Sequence, residues 1–342
     1  MRRAGVQRRP ARGRPAPALG RPAPRLRPRR PRTAAAARLA VVLAGALLLG
    51  VVAAACGAAG SSSGSGRLHV VAVETFLADI AQNVAGNRFT VKALLPPGAD
   101  PHAYEPTPRD VAGVASADML IVNGGGLEGT LLTTLQNAGG GARIVDASAG
   151  LRTRTPGPGE PRLAPGQADP HFWLDPILVK TYVANIRDAF IEADPAGKAA
   201  YTANAAAYDA KLTALDAWIK AQVAQIPPQD RKLVTNHAST GYFADRYGFQ
   251  VVGTVIPGFS SEETPTARGL AALTAAIRKS GAKAIFVEKD ENPQLAEQIA
   301  AETATKAVIG MLDHSLSAAG GPAPTYIAMM KYDTTLIVEA LR

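Results

Sequence analysis

Residues 196–226 read AGKAAYTANAAAYDAKLTALDAWIKAQVAQI. The stretch is rich in Ala, Leu and Lys, with no Gly after Gly197 and no Pro before Pro227. Such a composition favours helix throughout, and roughly thirty helical residues span about 45 Å. On both sides the pattern changes to short apolar, β-rich runs that alternate with helical spacing. Before it, Leu68–Val73, Phe89–Leu95, Met119–Asn123 and Arg143–Asp146 read as strands. Thr75–Gly86 and Leu127–Ala138 read as helices, and Thr107-Pro108-Arg109-Asp110 opens another, with Thr as cap, Pro in the first turn and Asp near the positive end. After it, the strands are Lys232–Asn236, Gln250–Val255, Ala284–Glu288 and Ala307–Leu312, and the helices Thr240–Tyr247, Pro265–Ser280, Pro293–Thr305 and Thr325–Leu341. Alternation of this kind implies parallel sheets with helices on their faces. The sequence therefore predicts an α/β protein of two lobes, 67–195 and 227–342, each with four strands, joined by one long helix over 196–226. Segment 151–170 (LRTRTPGPGEPRLAPGQADP) has no periodicity and predicts a surface loop.

Of 342 residues, 47% are hydrophobic and 19% charged, which excludes a disordered chain. The net charge of +9 suggests a nucleic-acid binder until its position is considered. Residues 1–38 hold thirteen Arg, no Lys and no acid, so the remaining 24 basic residues face 28 acidic ones, a net of −4. The excess belongs to a leader, and no nucleic-acid partner is expected. The leader has an Arg/Pro/Gly-rich start, an apolar run Leu39–Ala55 and then Cys56, the only cysteine. That order describes an export signal over 1–55, with a membrane-spanning helix as the rival, since seventeen residues is the lower limit for crossing. Cys56 stands where a bacterial lipoprotein carries its acylated cysteine, although Ala53-Ala54-Ala55-Cys56 matches a lipobox only in part. Acylation would remove the liability of a free thiol outside the cell. Residues 56–66, with the tract Ser61–Gly66, then read as a lipidated Cys and flexible tether, placing the protein outside the cytoplasm on the membrane surface.

Three of the five histidines follow strands. His102 lies in the loop after the second strand, His171 in the segment after the fourth and His237 directly after the fifth; Asp313 directly follows the eighth. Ligands of open α/β sheets bind outside the carboxyl ends of the strands. Two such ends facing each other would bring three imidazoles and a carboxylate to one point, a set suited to a tetrahedral divalent transition metal. Glu288 ends the seventh strand and is a candidate to orient one of the imidazoles. His69 falls within the first strand and reads as structural, and His314 is an alternative to its neighbour Asp313.

With these residues in view, the chain resembles the metal-binding lipoproteins of zinc/manganese ABC importers, solute-binding protein family 9. The matching motifs are LLPPGADPHAYEPTPRDV around His102, DPHFWLDP around His171, TNHASTGYFADRYGF around His237, IFVEKDENPQLAEQIAAET around Glu288 and the terminal TYIAMMKYDTTLIVEAL. The resemblance implies two (β/α)4 lobes, a rigid connecting helix and one metal in the cleft. It implies ligand roles for His102, His171, His237 and, through the final-strand Leu-Asp motif, Asp313. The metal, zinc or alternatively manganese, would be bound as transported substrate by a monomer and passed to a permease and its ATPase. Manganese members tend to carry an acid where this chain has His237, which favours zinc. Two departures stand out. The family often has Pro-Leu-Gly after the aspartate, whereas this chain has His314-Ser315-Leu316, and segment 147–170 lacks a His-rich loop. A zinc hydrolase with three His and an open position is the rival of another class, but no His-Glu-x-x-His pair occurs. A surface adhesin is a third reading. Three imidazole ligands also predict that affinity falls as pH drops through about 6.5.

Overall fold

The alternation continues through the first half as β1 (Val70–Ala72), α1 (Thr75–Ala85), β2 (Val91–Ala93), α2 (Pro108–Ala115), β3 (Met119–Val122), α3 (Gly129–Asn137) and β4 (Arg143–Asp146). Helices α4 (Val179–Ala193) and α5 (Lys198–Val223) follow. The second half runs β5 (Lys232–Thr235), α6 (Gly241–Tyr247), β6 (Gln250–Thr254), α7 (Ala267–Ser280), β7 (Ala284–Glu288), α8 (Gln294–Thr303), β8 (Lys306–Met311) and α9 (Tyr326–Leu341). This computed structural model describes residues 68–137 and 140–342. The expected signal, Cys56 and the tether lie outside the described residues. Within the described residues no helix is long and apolar enough to cross a membrane.

Both sheets are four-stranded and parallel, ordered β2-β1-β3-β4 and β6-β5-β7-β8. The fold is thus the predicted pair of α/β layers, with the same strand order repeated. Successive side chains along a strand point to opposite faces, and the apolar contacts divide accordingly. Val70, Ala72, Met119, Ile121, Leu233 and Phe286 face one large shared core. Their neighbours Val71, Val73, Leu120 and Val122 pack into a second cluster with Leu131 and Leu135. Val234, Ile285 and Val287 pack into a third with Leu273, Ile277 and Ile299. The shared core includes residues of α1, α4, α5 and α9, so both sheets rest on common helices.

Helix α5 matches the predicted linking helix but is shorter, 26 residues and about 39 Å. Pro195–Gly197 forms a separate 3-10 turn ahead of it. A Cβ at Gly197 would lie 2.3 Å from the Tyr201 ring, so only glycine lets this turn close on the helix. Its buried stripe, Tyr201, Ala205, Tyr208, Leu212, Leu215, Ile219 and Val223, repeats every three or four residues, as one helix face should. Helix α4 was not among the expected elements. It buries Val179, Tyr182, Val183, Ile186 and Phe190 at the same spacing. Its period begins only after the Pro-interrupted run Asp169–Pro176, which obscures its start.

Segment 151–170 is a loop, as expected, but not one that merely covers the surface. Arg154 is buried, its side chain only 6% exposed. It holds Glu160 at 2.6 Å, Asp245 of α6 at 2.7 Å and Asp169 at 3.5 Å. A Cβ at Gly159 would lie 2.1 Å from the Val251 carbonyl, so the loop lies directly against β6. Contacts also run the other way. From the corner after β8, Ser315 Oγ accepts from the Gly98 amide at 2.8 Å, and the Leu316 amide donates to Thr75 Oγ1 at 2.8 Å. Trp173 Nε1 donates to the Asp313 carbonyl at 2.6 Å, and Tyr326 Oη donates to the Trp173 carbonyl at 2.6 Å. Each half of the chain therefore sends an arm onto the other.

Candidate metal centre

The four segments that meet in the cleft are held by their own turn chemistry. Asp100 Oδ1 accepts from the His102 amide at 2.9 Å, and Asp169 Oδ1 accepts from the His171 amide at 3.1 Å. Both are Asp-Pro-His runs in which the carboxylate folds back two residues on, a local turn that Asp makes readily. Ser261 Oγ donates to Asp100 Oδ2, tying the first run to the second half of the chain. Asn123 Nδ2 donates to the Pro170 carbonyl at 3.0 Å. Gly125 has φ +65° and a Cβ there would stand 2.9 Å from Phe172, so glycine lets the loop after β3 lie beneath the second run. His237 follows β5, which pairs with β6 on one side and β7 on the other. That is the point at which connections diverge and an open α/β sheet forms its crevice.

The structure brings His102, His171 and His237 together as the sequence predicted, and adds His314. All six ring-centroid separations among the four fall between 4.7 and 5.5 Å. His171 Nε2 and His237 Nε2 are 3.4 Å apart. One nitrogen from each of the four rings lies within 4.8 Å of the others. His171 and His237 are fully buried, while His102 is partly exposed at the mouth. A cavity of about 310 Å³ lies elsewhere, against β6 and α7; one of about 350 Å³ opens beside His102 between Gly125, Gln167 and Phe259. The second, not the first, adjoins the cluster.

Carboxylates stand behind the rings. Asp169 Oδ1 lies 2.9 Å from His171 Nδ1, and Glu288 Oε1 lies 2.9 Å from His237 Nδ1. Glu288, a candidate from the sequence, stands beside the His237 ring. Asp313 reaches the cleft in a different group, with Glu288 and His314, and is not within the four-ring set. Its Oδ2 accepts from Ser239 Oγ at 2.7 Å, and its Oδ1 is 3.2 Å from His314 Nδ1. His69 is remote from the cleft, its Nδ1 at 3.1 Å from the Ser116 carbonyl. Asp169 and Arg154 were not singled out from the sequence. The repeated Asp-Pro-His run was the available signal for Asp169; nothing local marks Arg154.

Burial sets the charge. It holds His171 well below the ordinary imidazole value, helped by the neighbouring His237 and His102, and it does the same to His102, helped by His314 and His237. Burial also pulls His314 down, but Asp313 beside it outweighs this and pushes it up to about 9. Asp313 is correspondingly held low: burial opposes its charge, and His314 more than compensates. Asp169 is pushed up to about 7 by burial, against the pull of the His171 amide and Arg154. Neutral imidazole is the form that binds a metal, so the cleft keeps two of its rings ready for one.

Two parallel α/β layers with a buried imidazole cluster between them define a two-lobed α/β chain with a candidate metal centre in its cleft. The chain belongs to the family described as zinc-uptake complex component A, periplasmic, which matches residues 70–340. It is 33% identical over 297 residues to the manganese-binding lipoprotein MntA of Halalkalibacterium halodurans, covering 86% of this chain and 96% of that one. It is 32% identical over 275 residues to the iron-binding protein YfeA of Yersinia pestis, covering 80% and 86%. Among solved structures, the periplasmic zinc-binding protein TroA of Treponema pallidum superposes with a TM-score of 0.70 at 28% identity, covering 80% of this chain and 98% of that one. A manganese-bound periplasmic metal-binding protein of Candidatus Liberibacter asiaticus gives 0.69 at 27% identity, covering 80% and 99%.

Proposed function

We propose that the protein captures a divalent transition metal, zinc first and manganese next, outside the cytoplasmic membrane and delivers it to the permease and ATPase of an ABC importer. The observation that carries this is the pair of Nε2 atoms 3.4 Å apart. Zinc–nitrogen bonds of 2.0–2.1 Å at a tetrahedral angle place their donors about 3.3 Å from one another. Two buried imidazoles at that separation fit one ion between them. His102, His171 and His237 are the imidazole ligands on this reading, and the Asp313–His314 corner supplies the fourth side, Asp313 being the donor that the sequence assigns. Glu288 orients His237. A site closed by four protein donors favours carriage over catalysis, which needs an open position. Residues 67–195 and 227–342 act as the two lobes, monomeric, on the helix 196–226. Relatives named for manganese, iron and zinc surround the chain, so the donors decide between metals, and imidazole favours zinc where carboxylate favours manganese. Metal analysis of protein purified without added metal, followed by competition of zinc against manganese, tests this. A preference for manganese at equal free metal would overturn the zinc assignment, and no bound metal of any kind would overturn the carrier.

The anchor is part of the same proposal. Cys56 becomes the acylated first residue of the mature chain, and two acyl chains hold it at about 0.8 kcal/mol per buried CH₂. Cys56→Ser should release the protein into the medium; full retention in the membrane would indicate an uncleaved helix instead.

The pH response should be gentler than three ordinary imidazoles give. Ordinary rings would each bind a proton below about 6.5 and compete with the metal. Burial holds His102 and His171 well below that value. They resist protonation more than ordinary rings as pH falls, so the slope of log Kd for zinc against pH should stay below the roughly three protons per metal of an exposed site. Zinc titrations at pH 7.5, 6.5 and 5.5 measure the slope; a value of three would show that the rings charge normally.

A further inference from the structure

We propose that His314 is itself a metal donor, the fourth imidazole of the site, and that Asp313 serves by holding the His314 ring rather than by meeting the metal. This rests on the cleft being a metal centre. The His314 ring stands 4.7 Å from His237, 5.3 Å from His102 and 5.5 Å from His171. Its Nε2 is buried with no hydrogen-bond partner, as is Nε2 of His102. An unpaired buried polar atom is costly, and a metal in the middle would satisfy both.

The surroundings of the ring resemble those of His171 and His237. His171 has Asp169 at Nδ1 at 2.9 Å, His237 has Glu288 at 2.9 Å, and His314 has Asp313 at 3.2 Å. A carboxylate on one ring nitrogen fixes orientation and leaves the other for the metal, the usual arrangement behind metal-bound histidine. Asp313 is held by one oxygen, to which Ser239 Oγ donates at 2.7 Å, and its other oxygen lies 3.2 Å from His314 Nδ1. In the four-donor set the fourth member is His314 and not Asp313. The corner is also fixed in place, since the Asp313 carbonyl accepts from Trp173 and Ser315 Oγ accepts from the Gly98 amide. His314 is therefore a ring set among the other three, not a loop side chain that happens to be near, and a metal bound at its Nε2 takes the place of the proton there. Four nitrogens in place of three and an oxygen move the site toward zinc and away from manganese.

X-ray absorption at the zinc edge counts imidazoles directly, and the metal-loaded full chain should give four, falling to three in His314→Ala. His314→Ala and His314→Gln should each weaken zinc by more than about 100-fold, since a lost donor exceeds the 10–100-fold cost of a supporting group. Manganese should weaken much less, narrowing the zinc preference. Asp313→Asn should fall within about 10–100-fold and keep four imidazoles. Melting of each metal-free variant separates loss of fold from loss of donor. Three imidazoles plus an oxygen in the wild type, with His314→Gln unchanged in zinc affinity and Asp313→Asn without zinc, would overturn the proposal while leaving the metal centre standing. Absence of zinc from the wild type would instead overturn the metal centre itself.

Discussion

Replacing His237 by Ala should raise the zinc dissociation constant by more than about 100-fold. His237 is fully buried at the end of β5, with its Nε2 facing that of His171. Its carbonyl accepts from Thr235 Oγ1 at 2.6 Å, so the ring's placement comes from the strand end and not from the metal. Removing the ring therefore takes away a donor and leaves the backbone where it was. Glu288→Gln removes only the charge behind His237 and should cost about 10–100-fold, the range for groups that orient a ligand. His237→Glu should weaken zinc and narrow its margin over manganese, because it exchanges an imidazole for a carboxylate. Competition titrations on the three variants check the order. Unchanged zinc affinity in His237→Ala would remove His237 from the site.

Arg154→Met should lower stability by about 3–5 kcal/mol and weaken zinc by about 10–100-fold together. The first effect follows from burial. The Glu160 and Asp169 side chains are 2% and 0% exposed, and losing Arg154 leaves two carboxylates without their cation. The second follows from Asp169. Burial already raises it to about 7 and Arg154 opposes the rise. Without the guanidinium it is pushed higher still, and its hold as a carboxylate on His171 Nδ1 weakens. Asp245→Asn is the control: its side chain is 58% exposed, and breaking an exposed pair costs about 0–1 kcal/mol. Chemical denaturation of the metal-free forms gives the first effect and zinc titration the second. A destabilised Arg154→Met with unaltered zinc affinity would detach the loop from the site.

What could be read from the chain follows from how each feature is encoded. Helix α5 was legible because a run of helix formers without Gly or Pro has no competing structure, and only its first turn was lost to Pro195 and Gly197. The parallel layers were legible because strand ends, loops and helices recur in order. Helix α4 was not, since its apolar stripe follows two Asp-Pro steps that read as irregular. His102, His171 and His237 could be named because strand ends are where open sheets place ligands. Arg154 could not. Its partners Glu160, Asp169 and Asp245 come from three separate stretches, and a Pro/Gly-rich segment carries no periodic mark of which side chain turns inward. Whether Asp313 or His314 faces the three rings is a matter of rotamer and neighbours. Ser239, which engages Asp313, lies 74 positions away in the chain.

The spacing of the four clustered imidazoles along the chain, 102, 171, 237 and 314, is 69, then 66, then 77 residues. No helical turn, hairpin or short loop contains two of them. A small metal motif with donors a few residues apart can grip an ion while the rest of its chain is still disordered. Here a polypeptide that has not folded offers only lone imidazoles, each with the weak hold of a free side chain, and chelation arises only when distant segments have docked. If these rings are the donors, a chain that crossed a membrane unfolded would bring no cytoplasmic cation out with it, and loading would await the compartment in which folding is completed.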